Sequence, residues 1–182
     1  MTDETQALEI AAAAAALAGT AGAAQAEATV SIARRFSTEV RERVVSKLEQ
    51  STAKTLHLRV FVEGRKASLT SSDLSPDGLR AAVERTIEQA GHVAPDALAG
   101  LPERFAADVP ELDLYDPGIE LREGDAKVEE AMALERLIRR DDRRVVNSNG
   151  SHYSDAVSVT AIANSAGFAA AYRSTRAGRS TS

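Results

Sequence analysis

Residues Thr55 to Gly91, TLHLRVFVEGRKASLTSSDLSPDGLRAAVERTIEQAG, leave the chain little choice of fold. Leu56, Leu58, Val60 and Val62 alternate with Thr55, His57, Arg59, Phe61 and Glu63. Successive side chains of a strand point to opposite faces, so this spacing predicts a strand with one aliphatic and one mixed face. Glu63-Gly64-Arg65 supplies a tight turn, with Gly64 free to take a positive φ. Ala67 and Leu69 then alternate with Ser68 and Thr70 on a returning strand. Ser75-Pro76 announces a helix: the serine caps free N–H groups, and the proline sits where no N–H is needed. Leu79, Ala82, Val83, Thr86, Ile87 and Ala90 follow at helical spacing, and Gly91 is expected to close the end. Burying the larger side chains of that stripe contributes ~1.5–3 kcal/mol each. A hairpin with one apolar face, followed by a helix with one apolar stripe, predicts a two-layer sandwich.

The whole chain has 182 residues, enough for one domain or one and a half. With 43% hydrophobic but only 4% aromatic residues, its core must be built from Ala, Val, Leu and Ile. A net charge of −5 argues against a general nucleic-acid or anionic-membrane surface, since both need excess Lys and Arg. With no cysteine there is no disulfide, thiolate nucleophile or cysteine-based zinc site, which fits a reducing cytoplasm. No apolar run is long enough to span a bilayer. Ala24-Gln25-Ala26 resembles a signal-peptidase site, but Asp3 and Glu4 stand where an export signal carries positive charge. The preferred reading is a helix from about Glu4 to Leu17, packed on the sheet by Leu8 and its alanines and ended by Gly19 and Gly22.

Ala28 to Phe36 alternates as a strand. Thr38 to Gln50 fits either periodicity, since Val40, Val44 and Leu48 share one face of a helix or of a strand. A strand is expected, joined by a short link to Thr55, with Glu39, Arg41, Glu42, Arg43, Lys47 and Glu49 as a solvated face. After Gly91 the proline-containing stretch to Gly118 is an extended connector, pinned by Leu112, Leu114 and Tyr115. This divides the chain into an α/β unit (1–95), a connector (96–118) and a second unit (119–182). The second unit begins with a helix from about Asp125 to Arg140, whose apolar face carries Val128, Ala131, Met132, Leu134, Leu137 and Ile138. Arg139, Arg140, Arg143 and Arg144 form a basic cluster interrupted by Asp141 and Asp142, an ordinary helix end rather than a phosphate site. A meander is expected next: a strand over Arg144–Asn147, a hairpin at Asn149-Gly150, a strand over Tyr153–Ala163, a turn at Asn164–Gly167 and a strand from Phe168 to Ser174. The predicted class is α/β (α+β): an antiparallel-rich mixed β-sheet with helices packed on one face, a two-layer sandwich whose second β-meander unit is truncated.

No catalytic constellation stands out. His57, His92 and His152 are isolated, and none begins a His-Glu-x-x-His pattern. Ser151, His152 and Asp155 are residue types of a hydrolase triad, but triads are assembled in space and adjacency in sequence is no argument for one. No glycine-rich phosphate loop is present, and Glu129-Glu130 and Asp141-Asp142 are side-by-side surface pairs. Catalytic, cofactor-binding and metal residues are therefore each assigned as none.

Several segments in order carry a resemblance. LRVFVEGRKASLTSSDLSPDGLRAAVERTIEQA, then PELDLYDP, VVNSNGS, ANSAGF and YRSTR, are similar in order and spacing to blocks of the TldD/PmbA family of metallopeptidase-related proteins, spanning about Glu27 to Arg176 and leaning toward its PmbA (TldE) branch. The resemblance implies an N-terminal α/β region followed by a β-rich region. It implies a heterodimer with a TldD-like metallopeptidase subunit, which carries zinc on a His-Glu motif in the later part of its own chain. The pair would be proteases of unfolded peptides, including a peptide-antibiotic precursor and an antitoxin. No zinc is expected in this chain and none of its residues matches a family metal ligand. The family's historical name, modulator of DNA gyrase, does not imply nucleic-acid binding. The expected role is the N-terminal portion of such a subunit, cytoplasmic and without catalytic residues, as a fragment or truncated reading frame. The alternative is a stand-alone protein-interaction or remnant domain with no enzymatic activity.

Overall fold

A computed structural model describes residues 4–103, 110–138 and 144–182. In chain order the elements are α1 (Glu4–Thr20), β1 (Gln25–Arg41), β2 (Val44–Val62), β3 (Arg65–Ser71), α2 (Pro76–Gly91), α3 (Pro117–Glu120), α4 (Gly124–Ile138), β4 (Ser151–Asn164) and β5 (Ala169–Thr181). The strands form one five-stranded antiparallel sheet in the order β3-β2-β1-β4-β5, so the expected mixed α/β class holds. By packing, the described residues fall into two units. The first takes those of Met1–Ile32, Ala53–Asp113 and Val159–Arg173; the second takes those of Ala33–Thr52, Leu114–Ser158 and Ser174–Ser182.

The first unit is an aliphatic sandwich. Ala7, Ala11, Ala14 and Ala18, spaced one turn apart along α1, are fully buried. Alanine is the best helix former and its short side chain lets a helix lie close to a sheet. Facing them are Ala28 and Val30 of β1, Leu56, Leu58 and Val60 of β2, and Ala161 of β4, all fully buried. Leu79, Ala82 and Val83 of α2 complete the same core. The β2–β3 register pairs Leu58 with Leu69, Val60 with Ala67 and Val62 with Arg65, leaving Glu63 and Gly64 as a two-residue loop. Both have positive φ, +47° and +72°, the arrangement whose twist matches that of paired strands. The Ser75 hydroxyl accepts from the Gly78 N–H at 3.1 Å, with Pro76 in the first turn, as its sequence predicts. Two expectations change at helix ends. Gly19 lies inside α1, and Gly22, at φ +104°, makes the exit turn. The end of α2 closes on His92 in the right-handed region, so Gly91 is not used as a left-handed cap.

The ambiguous segment Thr38–Gln50 is extended, but it is neither one strand nor followed by a link. Thr38–Arg41 ends β1, Glu42 and Arg43 turn the chain at φ +53° and +66°, and β2 runs unbroken from Val44 through Thr55 to Val62. The turn separates Val40, which is fully buried, from Val44 and Leu48, which are 65% and 54% exposed. Arg41, Glu42, Arg43, Lys47 and Glu49 are exposed, as a solvated face should be.

In the second unit Phe36, Val40, Ala131 and Tyr153 form a small core, with Phe36 and Tyr153 packed edge to face at 6.3 Å between centroids. The α4 face differs from its apolar pattern. Ala131 is buried, but Leu137 is 63% exposed, and Lys127 and Glu135 point inward instead. Residues Arg144–Asn147 are not a strand, and Asn149-Gly150 is not a hairpin turn: β4 begins at Ser151, and the Asn149 N–H donates to the Ser182 carbonyl at 2.8 Å. Leu112 and Leu114 are 57% and 42% exposed and do not pin the connector by burial. It is held by the backbone bond from Thr175 N–H to Leu114 O at 2.9 Å, and by the Tyr115 hydroxyl donating to Glu120. Of the basic cluster, Arg139, Arg140 and Arg143, with Asp141 and Asp142, lie outside the described residues.

Candidate functional site

Alternation along β4 turns Ser151, Tyr153, Asp155 and Val157 to the buried side of the strand in the second unit. On α4, Lys127, Ala131 and Glu135 repeat every four residues and so share one face. These two rows meet in buried polar contacts. Lys127 Nζ lies 2.7 Å from Asp155 Oδ2, with side chains 10% and 3% exposed. The ammonium also sits 5.0 Å from the centre of the Phe36 ring, whose face attracts cations. The Glu135 carboxylate, 2% exposed, accepts from Ser148 Oγ at 2.9 Å and Ser151 Oγ at 2.8 Å. Ser148 Oγ in turn accepts from the Gly150 N–H at 2.9 Å, and Ser151 Oγ pairs with Thr181 Oγ1 at 2.8 Å. A buried carboxylate that collects these donors fixes the 148–151 segment in an irregular path, which is why its hairpin signal is not realised.

A polar cavity of about 400 Å³ opens beside the Lys127–Asp155 pair. Its charged walls come from Arg34 and Arg35 of β1, Glu120 of α3, and Arg122, Glu123, Lys127 and Asp155. Three of the four cations are matched: Arg34 by Glu120, Lys127 by Asp155, and Arg122 by Glu130 at 3.2 Å, which also takes Arg179 at 2.6 Å. Burial raises the Tyr153 phenol above its usual range, and the neighbouring Asp155 charge adds to the shift. The arrangement offers donors and acceptors for a polar ligand. No histidine is among the residues that line the cavity.

The histidines stay apart. His57 Nδ1 lies 3.3 Å from Thr70 Oγ1, His92 ends α2, and His152 Nδ1 is 4.0 Å from Glu39 Oε2. Ser151 and Asp155 are buried on one side of β4 while His152 is exposed on the other, so the three triad residue types do not converge. Among the described residues no group of three or more His, Asp or Glu side chains could hold a metal ion. The donor set for a zinc ion is not assembled by them. Sequence reading missed Lys127 and Glu135 and met Asp155 only as a triad residue type, not as the partner of a buried lysine; the four-residue spacing of Lys127, Ala131 and Glu135 was the available signal that they share a face.

Known proteins supply the rest. Residues 26–90 match the first domain of the PmbA/TldA metallopeptidases, and residues 121–182 match their central domain. The chain belongs to the PmbA/TldD family. It is 31% identical over 153 residues to metalloprotease PmbA of Escherichia coli O157:H7, covering 83% of this chain and 34% of that protein. A metalloprotease PmbA homolog of Haemophilus influenzae is 29% identical over 160 residues, covering 86% of this chain and 35% of that one. The chain therefore spans about a third of the length of these curated relatives. Among solved structures, a putative modulator of DNA gyrase from Bacteroides thetaiotaomicron superposes with a TM-score of 0.87 at 25% identity, over all of this chain and 41% of that one. TldE from Thermococcus kodakarensis shares the fold, with a TM-score of 0.75 at 16% identity over 91% of this chain and 37% of that one. No helix among the described residues is long and apolar enough to cross a membrane.

Proposed function

We propose that this chain is the N-terminal portion of a PmbA/TldE-like subunit that acts with a TldD-like, zinc-carrying partner in the proteolysis of unfolded peptides in the cytoplasm. In this role it contributes structure and peptide-binding surface, while zinc and catalytic residues belong to the partner. The observation that carries the reading is the succession of two family domains in family order, over residues 26–90 and 121–182. The names of the relatives, metalloprotease PmbA and TldE, support it. The division into 1–95, 96–118 and 119–182 belongs to the same proposal. The test is cleavage of an unfolded peptide by the full-length protein, alone and with a TldD-type subunit from the same cells. Cleavage by the pair only, abolished by a zinc chelator, is expected. Cleavage by this protein alone, or by the partner equally well without it, refutes the role.

A further inference from the structure

A second cavity in the same packing unit, about 290 Å³, has a chemistry that the family assignment does not explain. Arg35 of β1 and Arg176 of β5 both line it. Unlike Arg34, Arg122 and Lys127, these two guanidinium groups meet no carboxylate or other side-chain partner among the described residues. The hydroxyls of Ser37, Ser51 and Ser154 line the same space. Guanidinium forks and hydroxyl donors are what an oxyanion requires.

We propose that this cavity binds a monocarboxylate joined to a small apolar group. Two observations select that ligand over a phosphate. Glu49 and Asp155 stand in the wall, Glu49 held by Lys47 at 3.0 Å and Asp155 by Lys127 at 2.7 Å. Each bridge is satisfied, yet the carboxylates remain close enough to disfavour a dianion more than a monoanion. Phe36 and Ala156 supply an apolar wall, which suits the carbon next to a carboxylate and gives nothing to a free phosphate. The carboxylate has two sources, the C-terminus of a short peptide or a free small organic acid, and the site itself does not depend on the proteolytic role proposed above.

The experiment titrates the full-length protein at fixed ionic strength with acetyl-trialanine as the free acid, the same peptide as its C-terminal amide, propionate, and inorganic phosphate. Binding is followed by calorimetry and by the arginine Nε–H signals in NMR. Saturable binding of the free acid and at least tenfold weaker binding of the amide are expected. Arg35→Gln and Arg176→Gln should each weaken the free acid about tenfold, as loss of a charge-assisted hydrogen bond does. Both side chains are exposed, so the variants should keep the wild-type circular dichroism and melting temperature. Glu49→Gln should act in the opposite direction and tighten binding. Propionate binding as tightly as the peptide assigns the site to free acids; much weaker propionate binding assigns it to peptide termini. Equal binding of acid and amide, phosphate binding tighter than the free acid, or wild-type binding in the Arg35→Gln/Arg176→Gln double variant each overturns the proposal.

Discussion

Replacing Asp155 with Asn should destabilise the protein severely, through the charge it leaves behind. Lys127 and Asp155 are 2.7 Å apart with side chains 10% and 3% exposed, so the ammonium cannot recover its hydration when the carboxylate is neutralised. Removing one member of such a buried pair costs about 3–5 kcal/mol. The Phe36 ring, 5.0 Å from Nζ, keeps its cation contact, on the order of 1 kcal/mol, in Asp155→Asn and loses it in Lys127→Met, which puts Asp155→Asn at the lower end. Lys127→Met leaves the carboxylate without its cation and without the ring to compensate, and belongs at the upper end. For a chain of this size 1 kcal/mol moves Tm by about 2–4 °C, so the single variants should melt roughly 6–20 °C below wild type. The Lys127→Met/Asp155→Leu double variant exchanges the pair for apolar groups and should lose less than the two singles together. Urea unfolding of wild type, Asp155→Asn, Lys127→Met, Asp155→Leu and the double variant, followed by far-ultraviolet circular dichroism, tests the single losses and closes the cycle. Single variants within about 1 kcal/mol of wild type, or a double variant showing the full sum of the singles, would refute the buried-pair argument.

Three smaller effects should accompany it. Tyr153 titrates above its ordinary value of 10.0 in the folded state, so its contribution is complete below pH 10 and is lost as pH rises beyond it. Tyr153→Phe should flatten the alkaline fall in urea stability, and an unchanged slope above pH 10 would contradict the assignment. Hydrogen bonds from the Ser75 hydroxyl and then its backbone N–H hold Asp73 below 3.8, and a Cβ at Gly78 would overlap the Asp73 carboxylate. Gly78→Ala should therefore bring the Asp73 titration, read by carboxyl NMR, back up toward 3.8. Gly64→Ala places a side chain at φ +72° and should cost about 1–2 kcal/mol in urea unfolding; a neutral result would mean that the β2–β3 turn tolerates another conformation.

The parts of the fold that were legible in sequence are those set by neighbours in sequence. Leu56, Leu58 and Val60 alternate and are all buried, and Ser75-Pro76 caps α2 where it should. What was not legible depends on groups distant along the chain. The four-residue spacing puts Lys127 on the face of Ala131, but nothing local gives its partner, Asp155, which lies on another element. The Asn149-Gly150 hairpin signal is overruled by Glu135, whose carboxylate holds Ser148 and Ser151. Val44 and Leu48 look like core beside Val40 until the Glu42–Arg43 turn separates them, and no glycine marks that turn. The cavity residues escaped for the same reason: Arg35 and Arg176 come together only when β1 and β5 are in place. Family membership was legible because ordered blocks of sequence carry it independently of any one contact.

The central claim is that this chain is part of a subunit that works with a TldD-type partner. It is tested most directly by the solution mass of the complex formed when the tagged full-length protein is purified from cells containing that partner, measured by light scattering. A one-to-one complex with the TldD-type subunit is the predicted result. A protein that elutes alone or only with itself, while the partner is present and folded, would contradict the account.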